Sequence, residues 1–218
     1  MAKTWSADNP KAALMARKRA VIVDAALKAF LEAGYAEASV NRIAAAAGVS
    51  IKTLYRHYES KDDLFSAVMQ AACGKPPGDD SDEPDEPPPT WYALPPAEAF
   101  PQAGAEYLRH VLSQDQLALY RVVVRDAHRF PELGRRYREV TTGTRGAIFA
   151  GYLDLWADRE GWVVRDKQTA ADVFAGLLKA GIFDETLLGQ YQPSNEEIVD
   201  QAQAAAQNML LLLRAQRF

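Results

Sequence analysis

The stretch SVNRIAAAAGVSIKTLYRHYESKDDL, residues 39–64, constrains this 218-residue chain more than any other. Ser39 is a good N-cap, and Ile43, Ala46 and Ala47 share one face of the short helix it opens. Gly48 supplies the left-handed residue that ends such a helix and turns the chain. Ser50 is the next N-cap, for a second short helix through about His57. Two short helices joined by a tight Gly-containing turn make a helix-turn-helix, whose second helix enters the DNA major groove. That helix carries Lys52, Thr53, Tyr55, Arg56 and His57, which are donors and an aromatic suited to phosphates and base edges. A plain helical hairpin in an all-α protein reads the same way, so the surroundings must decide.

A net charge of −4 looks wrong for a DNA binder, but its distribution matters more. Residues 1–73 hold ten Lys/Arg against seven Asp/Glu, whereas residues 74–100 hold one against seven. The basic excess therefore sits with the helix-turn-helix. It is too modest to establish nucleic-acid binding by itself. Cys73 is the only cysteine, which excludes intramolecular disulfides and Cys-rich metal sites and fits a cytoplasmic location. No apolar run reaches about eighteen residues, and residues 1–19 lack the apolar core of a secretory signal, so no membrane partner is expected.

Taken in order, residues 1–16 read as a flexible tail. From Arg17 the apolar positions Val23, Ala26, Leu27, Phe30 and Leu31 recur at helical spacing, and Gly34 stops them. Arg17, Lys18 and Arg19 cluster at the start of this helix, either reaching phosphates or forming a solvated basic end. Ser60 to Asp63 resembles a capping box, opening a helix to about Cys73 with Leu64, Phe65, Val68, Met69 and Ala72 as its stripe. Residues 17–73 thus close one small three-helix core. Residues 74–90 are acidic, Pro-rich and nearly free of apolar side chains, which predicts a disordered loop.

From residue 91 to 218 the pattern is helical again. Helices are predicted over 97–113, 115–129, from Pro131 through Leu155, over 167–181 after an Asp166 cap, and after Ser194, which opens a capping box with Glu197. In the last helix Ile198, Ala202, Ala205, Met209 and Leu212 alternate in steps of four and three, the spacing of a packing seam. Val199, Ala206, Leu210 and Leu213 lie beside it. So wide an apolar face predicts a helix buried between two subunits, the alternative being burial within one chain.

The segment RKRAVIVDAALKAFLEAGYAEASVNRIAAAAGVSIKTLYRHYESKDDLF resembles the N-terminal domain of the TetR family of transcriptional regulators. The resemblance rests on Phe30, Gly34, Tyr35, Ser39-Val40, Ile43-Ala44, Ala47 to Ser50, Thr53 to Tyr55, His57-Tyr58 and Lys61, at fixed spacing and without a gap. Tyr58 stands where that family usually has Phe, and Lys52 where a small residue is frequent. The stretch LYRVVVRDAHRFPELGRRY is similar to the regulatory domain of the AefR-like branch. The resemblance implies an all-α fold: an N-terminal three-helix helix-turn-helix DNA-binding domain plus a C-terminal helical ligand-binding and dimerisation domain. It implies a homodimeric regulator, most often a repressor, on double-stranded operator DNA, released by a small hydrophobic effector.

By that resemblance Ser39, Tyr55 and Lys61 touch phosphates, Ile51, Lys52 and Thr53 face the groove, and Arg42 does either. With Arg17, Ser50, Arg56 and His57 these complete the expected DNA-binding set. The expected pocket residues are Trp91, Phe100, Tyr107, His110, Tyr120, His128, Phe149, Tyr152, Trp156 and Phe174, each of which also reads as plain core. The expected dimer interface comprises Val173, Leu177, Ile198, Ala202, Ala205, Met209, Leu210 and Leu213. Metal-ligand spacing, Gly-rich phosphate loops and nucleophile elbows are absent from the sequence, so no metal, cofactor or catalytic residue is expected. The competing readings are a helical adaptor, or an enzyme-like helical protein, without operator binding.

Overall fold

The computed structural model of the chain describes residues 10–72 and 88–218. Every regular element among them is helical: α1 (Pro10–Glu37), α2 (Val40–Ala46), α3 (Ile51–His57), α4 (Lys61–Ala72), a 3₁₀ turn (Thr90–Ala93), α5 (Pro96–Val111), α6 (Gln114–Asp126), α7 (Pro131–Glu160), α8 (Lys167–Lys179), α9 (Ile182–Leu187) and α10 (Asn195–Arg214). The first helix starts at Pro10 and not at Arg17, so the expected tail is shorter. Proline suits a first helical turn, and the Ala, Leu, Met, Lys and Arg that follow are strong helix formers. Residues 1–9 and nearly all of the acidic segment expected to be a loop lie outside the described residues.

The chain divides into two compact units, and not at residue 91. One comprises residues 1–83 with 118–141, the other 84–117 with 142–218. Helices α6 and α7 each contribute residues to both. In the first unit Ile22, Phe30, Ile43, Leu54, Leu64, Phe65 and Met69 form a core that also takes in Leu119, Val122, Val123 and Leu133. Sequence periodicity shows that these α6 and α7 positions are apolar, but not which helices they face.

A polar joint holds α6 against the end of α1. Gly34 takes φ +80 and breaks the helix, freeing backbone groups on both sides. Asp126, 6% exposed in its side chain, accepts the Tyr35 amide at 2.7 Å and the Ala36 amide at 3.3 Å. Arg125 donates Nη2 to the Ala33 carbonyl at 3.3 Å and to Asp126 at 3.2 Å. A Cβ on residue 34 would lie 0.9 Å from that guanidinium nitrogen, so Gly34 answers both the backbone angle and the close approach. Burial pushes the Asp126 carboxyl up, but Arg125 and the two amides outweigh it and hold it below the ordinary value. Nearby, Arg136 of α7 donates to Asp63 at 3.0 Å and to Ser66 at 2.9 Å on α4.

In the second unit α10 packs along α5 and against α8. Gly104 of α5 makes this approach possible: a Cβ there would lie 2.7 Å from Leu178 Cδ2 and 3.2 Å from the Ala202 Cβ. Ile198, Ala202, Ala205, Met209 and Leu213 are consequently buried within a single chain. The expected seam is therefore filled by the chain's own α5, the alternative the sequence left open. Gln201 reaches from α10 to the carbonyls of Leu177 at 3.0 Å and Leu178 at 3.2 Å, tying off the end of α8. The capping box of α10 forms as read: Ser194 accepts from the Glu197 amide at 3.2 Å, and Glu197 accepts from the Ser194 amide at 2.8 Å. Helix α8 stops at Lys179, two residues early, because Gly181 takes φ +79.

Replacing Asp126 by Ala strands two amides and removes the partner of Arg125. The expected loss of stability is about 2–4 kcal/mol, with Asp126→Asn milder because it keeps one acceptor. The native carboxylate's contribution is present above its ordinary titration and is lost as pH falls through the depressed folded value. Urea unfolding across pH 3–7 checks both points: the acid-side decline should be shallower in Asp126→Ala than in the parent.

Candidate nucleic-acid interface

Helix α3 is positioned by one buried anchor. Leu54 is 1% exposed, and Tyr58, just past the helix, is 8% exposed. Ser50 caps the helix through its hydroxyl, which accepts the Thr53 amide at 3.1 Å and lies 2.8 Å from the Thr53 hydroxyl. With Leu54 turned inward, Ile51, Lys52, Tyr55 and Arg56 are all exposed. Ile51 is 37% and Tyr55 49% exposed, large apolar surface that the described residues leave uncovered. Arg42 of α2 and Arg17 of α1 are also exposed. Ser39 sits at the start of α2 in extended backbone, and its hydroxyl makes no capping bond.

His57 and Lys61 are placed differently from the rest of the expected set. The His57 ring is half-buried, and its Nε2 is shielded without a hydrogen-bond partner among the described residues. Burial lowers its pKa, and the charges of Arg19, Arg56 and Lys18 lower it further. The basic start of α1 therefore acts electrostatically on the end of α3, a convergence that sequence spacing only hinted at. Lys61 donates Nζ to the Ala36 carbonyl at 3.1 Å and lies 4.8 Å from the centre of the Tyr35 ring. Its ammonium helps close the end of α1. Tyr35 in turn donates its hydroxyl to Asp62, and burial first, then this bond, push its pKa up.

The expected pocket residues do not all come together. Trp91, Phe100, Phe149, Tyr152 and Phe174 are buried in the core of the second unit, with Tyr107 and Trp156 packed against it. Phe100 is its hub, with ring centres 5.3 Å from Phe149, 5.6 Å from Tyr152 and 5.4 Å from Phe174. Tyr120 and His128 belong to the other unit. The Tyr120 ring lies tilted against that of Tyr137, centres 5.6 Å apart, and His128 is exposed. His110 is half-buried on α5. The sequence reading missed Trp162, which is 6% exposed with its ring 6.2 Å from Phe100. Its signal was weak, because it lies in a turn and outside any helical stripe.

Residues 98–213 match the family model described as the AefR-like transcriptional repressor C-terminal domain, and residues 22–68 match that of the bacterial regulatory proteins of the tetR family. The HTH-type transcriptional activator FasR of Mycolicibacterium smegmatis is 42% identical over 53 residues, 24% of this chain and 24% of that protein. The chain thus matches about a quarter of that relative's length. Among solved structures, the flavonoid-responsive regulator FrrA is 28% identical, with a TM-score of 0.72 over 89% of this chain and 96% of the other. A TetR transcriptional regulator from Agrobacterium tumefaciens is 23% identical, with a TM-score of 0.68 over 90% and 93%, a likeness of fold.

The exposed face of α3 and the joint at Lys61 make different predictions. Tyr55→Phe and Arg56→Ala should leave the melting temperature nearly unchanged and weaken binding to all duplexes alike, and Arg56→Ala alone should lower the salt slope by about one if it loses a phosphate contact, because the Tyr55 hydroxyl carries no charge. Lys61→Ala should also lower the melting temperature, because it opens the end of α1. Fluorescence anisotropy against several duplexes, alongside thermal melts, separates the two.

Proposed function

We infer that this chain, which belongs to the TetR family of transcriptional regulators, binds a palindromic operator as a homodimer and represses transcription until a small hydrophobic effector releases it. The observation that carries this reading is the face of α3, where Lys52 and Arg56 flank an Ile51 and a Tyr55 that the described residues leave exposed. Ile51, Lys52 and Thr53 read the groove, while Ser39, Arg42, Tyr55 and Arg56 take phosphates. Repression is favoured over activation by the match over 98–213 to a repressor's C-terminal domain. The match to an activator lies in a much shorter stretch.

The dimer forms through the outer sides of α8 and α10. The inner stripe of α10 is already occupied, but Val199 is 37% and Leu211 61% exposed, with Leu210, Val173 and Leu177 part-buried beside them. Gly176 has open space where its Cβ would be, so a partner helix can approach closely. The aromatic core of the second unit supplies the effector site, and the neighbour FrrA, flavonoid-responsive by name, is consistent with an aromatic-lined one. In the dimer the two α3 helices must meet successive major grooves, about 34–36 Å apart. A ligand that binds the non-DNA state better spoils that spacing, and DNA must weaken ligand binding by the same factor.

Val199→Arg with Leu211→Arg should give a folded monomer that binds operator poorly. Leu213→Arg should instead unfold the second unit, since Leu213 is 1% exposed within its own chain. Sedimentation velocity and circular dichroism tell these apart. A dimer that survives the Val199/Leu211 double substitution would place the interface elsewhere.

A further inference from the structure

The aromatic core of the second unit treats its polar atoms unequally. Trp91 donates Nε1 to Glu106 at 3.2 Å, and Tyr152 donates its hydroxyl to the Leu94 carbonyl at 2.7 Å. The indole nitrogens of Trp156 and Trp162 are equally shielded from solvent and have no acceptor among the described residues. Buried donors are nearly always paired, because leaving one unmade forfeits its bonds to water and gains nothing. Two such donors in one cluster are therefore an anomaly, and they are linked through the same two rings. Trp156 stacks on Tyr152 with centres 6.1 Å apart, Tyr152 lies 5.6 Å from Phe100, and Phe100 lies 6.2 Å from Trp162.

Neither indole is there by looseness. Trp156 lies on α7 with the Arg159 guanidinium 5.1 Å from its ring centre. Trp162 is held by the turn that ends α7. Gly161 takes φ +68, and the Trp162 amide donates to the Ala157 carbonyl at 2.9 Å, a Schellman closure. That turn folds Trp162 back onto Phe100. The surrounding aromatic faces offer stacking area but no strong acceptor, so none of the described residues supplies the missing partner.

We propose that the second unit binds a flat aromatic molecule bearing a neutral acceptor, a ring carbonyl or its equivalent, which accepts a hydrogen bond from the indole N–H of Trp156 or Trp162. This rests on the effector reading above and narrows it from a small hydrophobic molecule to an acceptor-bearing planar one. The rings supply dispersion and stacking, and the indole supplies direction. A purely aliphatic effector would leave the two donors as they are.

The test uses 9-fluorenone and fluorene, which share one tricyclic frame and differ only in a carbonyl oxygen. Binding to the full-length protein is measured by calorimetry. The ketone should bind about fivefold tighter, the size of one net hydrogen bond. That preference should vanish when Trp156 or Trp162 is replaced site-specifically by 3-benzothienylalanine, which keeps the ring shape and puts sulfur where the N–H was. Trp156→Phe and Trp162→Phe, checked for folding, serve as second variants. Equal affinities in the parent, a preference that survives both replacements, or no binding of either compound overturns the proposal; the first is what a trapped water on the indoles predicts. Operator affinity measured with fluorenone present keeps the two readings apart. Carbonyl-selective binding without loss of DNA affinity would sink the effector mechanism and leave the acceptor site standing.

Discussion

The end of α1 is the constraint on which the first unit depends. A long helix must stop, reverse and hand the chain to α2 so that α3 presents its outer face. Gly34 permits the reversal, but it also exposes backbone groups in a place where water is scarce. Asp126 takes the amides after the break, and Arg125 and Lys61 take carbonyls on either side of it. A glycine break that would otherwise be a loose hinge becomes a joint fixed from α4 and α6. The charges are arranged so that each makes the next cheaper to bury: Arg125 offsets Asp126, and Lys61 lies against the Tyr35 ring whose hydroxyl reaches Asp62.

Once that joint is set, the recognition face follows from little more than Leu54. An α3 of seven residues buries Leu54, half-buries Thr53 and His57, and leaves 51, 52, 55 and 56 exposed. That is why residue type at 51, 52, 55 and 56 is free to serve DNA and not the core. Thr53 is half-buried beside them, and its hydroxyl lies 2.8 Å from that of Ser50, which fixes the start of α3.

What was legible in the sequence is what is local. The caps at Ser50, Asp166 and Ser194 form as read, because a cap is decided within four residues. The break at Gly34 and the turn at Gly48 were visible for the same reason. The Asp126–Tyr35 bond spans ninety-one positions and leaves no periodic trace, so the assignment of residues 118–141 to the first unit was not legible. The orphaned indole at Trp162 was hidden too, since a lone aromatic in a turn carries no pattern.

The last helix shows the limit most sharply. An apolar stripe says that a face is covered, but not by whom. Ala202 and Ala205 are small because α5, with Gly104, comes close to them within one chain, a fit that seals the stripe against a partner. In the proposed dimer the residues left for a second copy are the exposed ones, Val199 of the flanking stripe and Leu211, which neither stripe includes. A seam spaced for helix packing and a large exposed leucine on the same helix are two separate facts. Only the second bears on the proposed pairing with another copy of the chain.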